Sequence, residues 1–325
     1  MAFTWIIPLA ISCLVSDSHA VDSLRFFVIG DMGGVDYEPY TTYYERSTAA
    51  EMGKVAEVFG PQYIFELGDN FYYDGVKGLD DIRFDRTFES VYTAKSLQVP
   101  WYLVAGNHDH RGNVTAQILY SNVSERWNYP SYYYYREFPI DSMGHKVGIV
   151  MMDTILLCGI THDDVHEQPT GPAHKGSAEK QWDFIMQTLA NSKADYLFTA
   201  GHYPVFSVAE HGPTKCLEDR LQPMLEKYSV NGHMSGHDHN LQHLQIKSPK
   251  GTNLDYFVSG MANFIDPSRA HYEDVPTGSL KFHNADFITK GGFLYAETTV
   301  QNMTLTFVGA NGKQLYKTVV SPRKL

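Results

Sequence analysis

The stretch Tyr63-Ile64-Phe65-Glu66-Leu67-Gly68-Asp69-Asn70-Phe71-Tyr72 decides how this chain is read. Its first five residues form an apolar run of strand length, and the glycine ends it. Asp69 is therefore delivered at a strand's carboxyl end. One carboxylate has two oxygens and can bridge two metal ions if other ligands converge on it. Tyr72 follows three residues later, within reach of one of those ions. A phenol has a pKa of about 10, so only a strongly charged cation beside it would hold it as phenolate in acid. A lone Gly-Asp after a strand is weak; its force comes from four further clusters.

Each of these clusters also follows an apolar run. Residues 24–30 lead into Asp31-Met32-Gly33-Gly34, and residues 101–105 into Gly106-Asn107-His108-Asp109. Residues 196–200 lead into Gly201-His202-Tyr203-Pro204, and a short final strand into Ser235-Gly236-His237-Asp238-His239-Asn240. Ligands of α/β sheets gather at the carboxyl ends of strands, and five clusters obey that rule. Helical spacing is expected over residues 48–59, stopped by Gly60-Pro61, and again over 84–93, 177–191 and 216–228. Strand-rich runs cover 132–138 and 147–153, and residues 159–176 read as an irregular loop. Alternating strands with an Asn311-Gly312 hairpin turn close the chain. There is no internal repeat, low-complexity tract or linker, so residues 21–325 read as one α/β domain.

At 325 residues, 43% hydrophobic and 14% aromatic, the chain buries a sizeable core. Its formal charge of −11 argues against a nucleic-acid groove or an anionic membrane as target. Phosphate chemistry on such a chain needs a strong local positive charge. Residues 2–14 are apolar and Ser18-His19-Ala20 follows, the pattern of a signal peptide (residues 1–20) cut after Ala20 and too short to span a bilayer. Cleavage removes Cys13 and leaves Cys158 and Cys216. In an oxidising compartment these suggest one disulfide, with two buried free thiols as the alternative. The triplets at Asn113, Asn122 and Asn302 are N-glycosylation sequons and fit the same secretory route.

Taken together, the strand ends supply Asp31, Asp69, Tyr72, Asn107, His108, His202, His237 and His239. Hard oxygen donors with imidazoles and no thiolate suit iron, zinc or manganese. Two such ions about 3.5–4 Å apart clamp a phosphoryl group during displacement.

The set Asp-x-Gly, Gly-Asp-x-x-Tyr, Gly-Asn-His-Asp, Gly-His-Tyr-Pro and Gly-His-Asp-His resembles the five metal motifs of the purple acid phosphatases, in the small animal form. The resemblance spans essentially all of residues 21–325. General metallophosphoesterases carry Asp-x-His in the first motif and usually lack the tyrosine, whereas this chain has Gly33 and Tyr72. The resemblance implies a metallophosphoesterase fold, a four-layer α-β-β-α sandwich of two mixed sheets. It implies Fe(III) on Asp31, Asp69, Tyr72 and His239, and Fe(II), Zn or Mn on Asp69, Asn107, His202 and His237. Tyrosinate is a hard donor matched to Fe(III), while neutral Asn107 suits a divalent ion. Two aspartates and a tyrosinate leave about two positive charges uncancelled, enough to attract phosphate and acidify a water.

The implied reaction is hydrolysis of phosphate monoesters, free or on phosphoproteins, by attack of a metal-bound hydroxide. His108 would hold the phosphate, and His211, nine residues after His202, would bind it or protonate the leaving oxygen. Asp238 is left between two readings, a residue orienting a neighbouring ligand and a turn residue. The resemblance further implies a monomer in the lysosome or outside the cell. It also implies an activating protease acting on the 159–176 loop, with cleavage near His174 and Lys175 raising activity. An iron-carrying protein on the same scaffold is the alternative; His108 and His211 favour the enzyme, because a carrier needs no outer phosphate ligands. A phosphodiesterase is a third reading, disfavoured by Tyr72.

Overall fold

The computed structural model describes residues 23–161, 168–249 and 251–324. The signal-peptide expectation, and the middle of the 159–176 loop, fall outside the described residues.

The strands are β1 (Leu24–Ile29), β2 (Tyr63–Glu66), β3 (Trp101–Leu103), β4 (Trp127–Asn128), β5 (Tyr134–Pro139), β6 (Lys146–Met151) and β7 (Tyr196–Ala200). They continue with β8 (Gly232–Ser235), β9 (Leu241–Lys247), β10 (Asn253–Ser259), β11 (Leu280–Asn284), β12 (Gly292–Thr298), β13 (Met303–Gly309) and β14 (Gln314–Val320). Two seven-stranded sheets result. The first runs β14-β13-β12-β1-β2-β3-β4 and the second β11-β9-β10-β8-β7-β6-β5. Both are mixed: β1 to β4 and β6-β7-β8-β10 pair in parallel, and antiparallel strands complete each sheet.

Strand alternation explains the layers. In β6, Val147, Ile149 and Met151 join the core between the sheets, while Val150 faces the second sheet's helices. Phe65 of β2 meets Phe138 of β5 across the interior at 5.2 Å between ring centres. On the outer face of the first sheet, Phe27 stacks on Phe59 of α1 (Tyr43–Phe59) at 5.7 Å. On the other side, Trp182, Ile185, Leu217, Leu221 and Leu225 of two helices cover the second sheet. The expected single domain with an α-β-β-α sandwich is what the chain forms.

The helices are α1, α2 (Asn107–Arg111), α3 (Val114–Tyr120), α4 (Thr154–Cys158), α5 (Lys175–Asn191) and α6 (Lys215–Lys227). Several boundaries differ from those read in the sequence. α1 starts at Tyr43, five residues before the expected start, because Thr42 and Glu45 form a reciprocal capping box. The helix expected over 84–93 is a π-helical turn, Phe84–Glu89. α5 takes Lys175 and Gly176 from the presumed loop, with His174 at its N-cap. The strand-rich run over 147–153 stops at Met151, and Asp153 instead caps α4 through Leu156 N–H at 2.9 Å. Cys158 and Cys216 form a disulfide that ties α4 to α6. No described helix is long and apolar enough to cross a membrane.

Candidate metal centre

The seven expected ligands meet where the carboxyl ends of β1, β2 and β3 face those of β7 and β8. The backbone there is unusual. Asp31, Asp69 and His237 all have left-handed φ values, 60°, 58° and 71°. Such strain in non-glycine residues collects at functional sites. It aims each side chain back across its strand end. Glycine is needed beside them: a Cβ on Gly33 would lie 2.6 Å from Asp69 O and Phe71 N. On Gly106 it would collide with the Asp69 carboxylate, and on Gly236 with that of Asp31.

The contacts fall into two groups joined by Asp69. Tyr72 Oη lies 2.9 Å from Asp31 Oδ1 and 2.9 Å from His239 Nε2, which is itself 3.6 Å from Asp31 Oδ1. His202 Nε2 lies 2.9 Å from Asn107 Oδ1 and 3.3 Å from Asp69 Oδ2. His202 Nδ1 faces Leu67 O at 3.0 Å, which turns Nε2 into the centre. The His237 ring lies 4.9 Å from that of His202, and its backbone N–H donates to Asp31 Oδ2 at 2.9 Å. Ligand atoms of Asp31, Asp69 and His202 all lie within 4.8 Å of one another.

Electrostatics shows what the set lacks on its own. Burial pushes Asp31 well above the usual carboxylate range, and the Asp69 charge adds to this. Burial opposes ionisation of Asp69 too, but His202 and His108 outweigh it and hold Asp69 low. His202 is raised to about 9, the pull of Asp69 overcoming its burial. His239 is lowered to about 3 by burial and by His211, and His237 is lowered by burial and by His211 and His202. Burial and the two aspartates raise Tyr72. Anionic donors and imidazoles are thus crowded in a dry space where protons cannot neutralise them evenly. Two hard cations fit such a donor set.

Outside the seven expected ligands, His108 Nδ1 faces Tyr73 O at 2.7 Å, leaving Nε2 3.9 Å from Asp69 Oδ2. The His211 ring stacks on that of His237, 4.1 Å apart and 22° from parallel. Its backbone N–H donates to Asp238 Oδ1 at 3.0 Å, so Asp238 orients the outer histidine's backbone and is more than a turn residue. Asp69, Tyr72, Tyr73, His108, Glu210, His211, His237, His239 and Phe264 line a cavity of about 290 Å³. Asn113, Asn122 and Asn302 are exposed and none of them lines this cavity, and Asn113 caps α3 by accepting from Ala116 N–H.

Some contributors were not assigned from sequence. Asp109, fully buried, accepts from the N–H groups of Gly106, Asn70 and Phe71 at 2.8, 3.0 and 3.2 Å, and from Gln117 Nε2 at 2.8 Å. It clamps the loop after β2 to the loop after β3. Its place in Gly-Asn-His-Asp was the available signal. Tyr73, Glu210 and Phe264 carried no signal of their own.

A family model described as calcineurin-like phosphoesterase matches residues 24–241. Tartrate-resistant acid phosphatase type 5 of Oryctolagus cuniculus is 48% identical over 305 residues, covering 94% of this chain and 93% of that one. The chain belongs to the purple acid phosphatase family. Purple acid phosphatase 4 of Arabidopsis thaliana, 30% identical over 302 residues (91% and 83% of the two chains), shows how widely the family pattern extends. Among solved structures, GAP50, the anchor in the inner membrane complex of Plasmodium, shares the fold at a TM-score of 0.78 and 22% identity. That match covers 93% of this chain and 90% of the other. In this purple acid phosphatase the family's five motifs come together at one point, between the two sheets.

Proposed function

We propose that this purple acid phosphatase hydrolyses phosphate monoesters at the centre between its sheets. Asp31, Tyr72 and His239 would hold Fe(III), Asn107, His202 and His237 a divalent Fe, Zn or Mn, and Asp69 both. The observation that carries the assignment is Tyr72 Oη, 2.9 Å from both Asp31 and His239, deep in a site built of hard donors. Two cations there would supply Lewis-acid charge, lowering a water's pKa and offsetting the negative charge of the phosphoryl group.

The chain's own groups then have distinct tasks. His108, fixed through Tyr73 O, turns Nε2 to the cavity to hold a phosphate oxygen. His211, braced by Asp238 and stacked on His237, faces the same cavity and gives a proton to the leaving oxygen. The burial of both aspartates excludes competing water from the ligands. The presence of two outer histidines around a cavity favours hydrolysis over iron carriage. The Cys158–Cys216 bond and the three exposed sequons support a secretory route ending in the lysosome or outside the cell.

The test is a visible spectrum of protein purified without chelators, recorded beside p-nitrophenyl phosphate hydrolysis and metal analysis. Tyrosinate bound to iron absorbs visible light, so the wild type should be coloured and Tyr72→Phe should lose the band. An active protein whose band survives Tyr72→Phe would refute the ligand assignment.

A further inference from the structure

The cavity has a rim that phosphate chemistry does not use. Tyr73 and Phe264 present near-parallel rings, 6.2 Å apart and 27° between planes, and Tyr72 meets Phe264 edge-on at 4.9 Å. Tyr73 is 41% exposed. Asp36, exposed, lies near enough for its charge to add to the effect of burial in raising the Tyr73 hydroxyl. Glu210 also lines the cavity; burial and the neighbouring Asp266 carboxyl both oppose its ionisation, so the two acids give up their protons one after the other. Among the described residues no lysine or arginine lines the cavity.

Aromatic faces backed by carboxylates attract organic cations, since the ring quadrupole and the carboxylate charge act in the same direction. A neutral leaving group would use the rings and gain nothing from the acids. An anionic one would be repelled by Asp36, Glu210 and Asp266. The negative charge of the whole chain adds to that bias. The ions of the centre address only the phosphoryl end of a substrate, so the two ends of the cavity call for opposite charges.

We infer that this rim selects phosphate monoesters whose leaving alcohol carries an alkylammonium group. The inference rests on the phosphatase reading of the same site. Tyr73 and Phe264 receive the ammonium on their faces, and the Glu210–Asp266 pair, ionised at one carboxyl, supplies the counter-charge. The phosphoryl group stays with His108 and His211, and the chemistry of the bond broken is unchanged.

The experiment compares phosphocholine with 3,3-dimethylbutyl phosphate, its uncharged isostere, on the metal-loaded full chain in mildly acidic buffer. p-Nitrophenyl phosphate serves as the reference for activity. The kcat/KM ratio of the charged to the neutral ester should be roughly tenfold, the size of a partly desolvated cation–π contact. Glu210→Gln and Tyr73→Leu should each pull the ratio towards one; taking the ratio removes any loss common to both esters. A ratio of one or below in the wild type overturns the inference, as does a ratio that neither substitution moves. Failure to hydrolyse even p-nitrophenyl phosphate would refute the phosphatase reading, and this inference with it.

Discussion

His233 links the core of the second sheet to pH, and the effect can be worked out. The residue sits on β8, 1% exposed, with Nδ1 2.9 Å from Thr199 Oγ1 and Nε2 3.1 Å from Tyr203 O. The carbonyl can only accept, so Nε2 carries the proton and Nδ1 accepts from the threonine. Burial lowers its pKa to about 4, against about 6.5 in an unfolded chain. Above pH 6.5 the ring is neutral in both states and costs nothing. As pH falls the unfolded state takes up the proton first, so stability is lost between about pH 6.5 and 4. The loss is about 2 kcal/mol at pH 5 and about 3 kcal/mol below pH 4. His233→Gln removes the titration and weakens the two hydrogen bonds, costing about 1–2 kcal/mol near neutrality. Urea unfolding of wild type and variant at pH 7 and pH 5, followed by tryptophan fluorescence, should then show the stability gap closing or reversing in acid. Metal release also varies with pH, but it enters both proteins and cancels in the difference. A gap that stays constant from pH 7 to 5 would refute the reasoning.

Other substitutions test the scaffold. Asp109→Ala strands three buried backbone N–H groups and should cost about 3 kcal/mol or more; bound metal, measured by elemental analysis, should fall with it. Asp238→Ala frees the His211 backbone, and kcat for p-nitrophenyl phosphate should drop about tenfold with metal content retained if His211 is the proton donor proposed above, since an unplaced donor loses its share of general acid catalysis. Arg323 donates to the carbonyls of Ala194, Tyr228 and Ser229, each at 3.1 Å, so Arg323→Ala should lower stability by about 1–2 kcal/mol in a urea titration. Opening the Cys158–Cys216 bond, which closes a separation of 58 residues, should cost about 4 kcal/mol by loop entropy, read as a lower urea midpoint in Cys158→Ser/Cys216→Ser.

The sequence carried the strand ends and their cargo because both signals are local. An apolar run, a glycine and a polar ligand sit within ten residues of one another, as in residues 63–72. Its silences have physical causes. α2 and α4 have five residues each and α3 seven, too few to show a helical period. The true start of α1 lies in Thr42-Tyr43-Tyr44-Glu45, where the signal is a capping hydrogen bond and not an apolar repeat. Strand partners are less legible still: β1 sits between β2 and β12, pairing Leu24 with Thr298, and no periodicity names so distant a neighbour. The rim residues Tyr73, Glu210 and Phe264 come from three separate segments and acquire a meaning only when those segments meet.

The centre also does something for the fold that its chemistry does not require. Asp31, Asp69, Tyr72 and Asn107 follow strands of the first sheet; His202, His237 and His239 follow strands of the second. Direct contacts already join the halves here: His237 N–H to Asp31, and His202 to Leu67 O. In the absence of cations, however, the same junction concentrates unevenly protonated acids and imidazoles in a dry space, as the opposed displacements of Asp31 and Asp69 show. A ligand that binds only the folded state stabilises it in proportion to the logarithm of its concentration over its dissociation constant. Ions held as proposed would therefore strengthen the docking of one sheet on the other, because each would take ligands from both. On the proposed assignment neither sheet alone carries all the donors for either ion, so metal loading would add to the docking that the apolar core and the direct hydrogen bonds already supply.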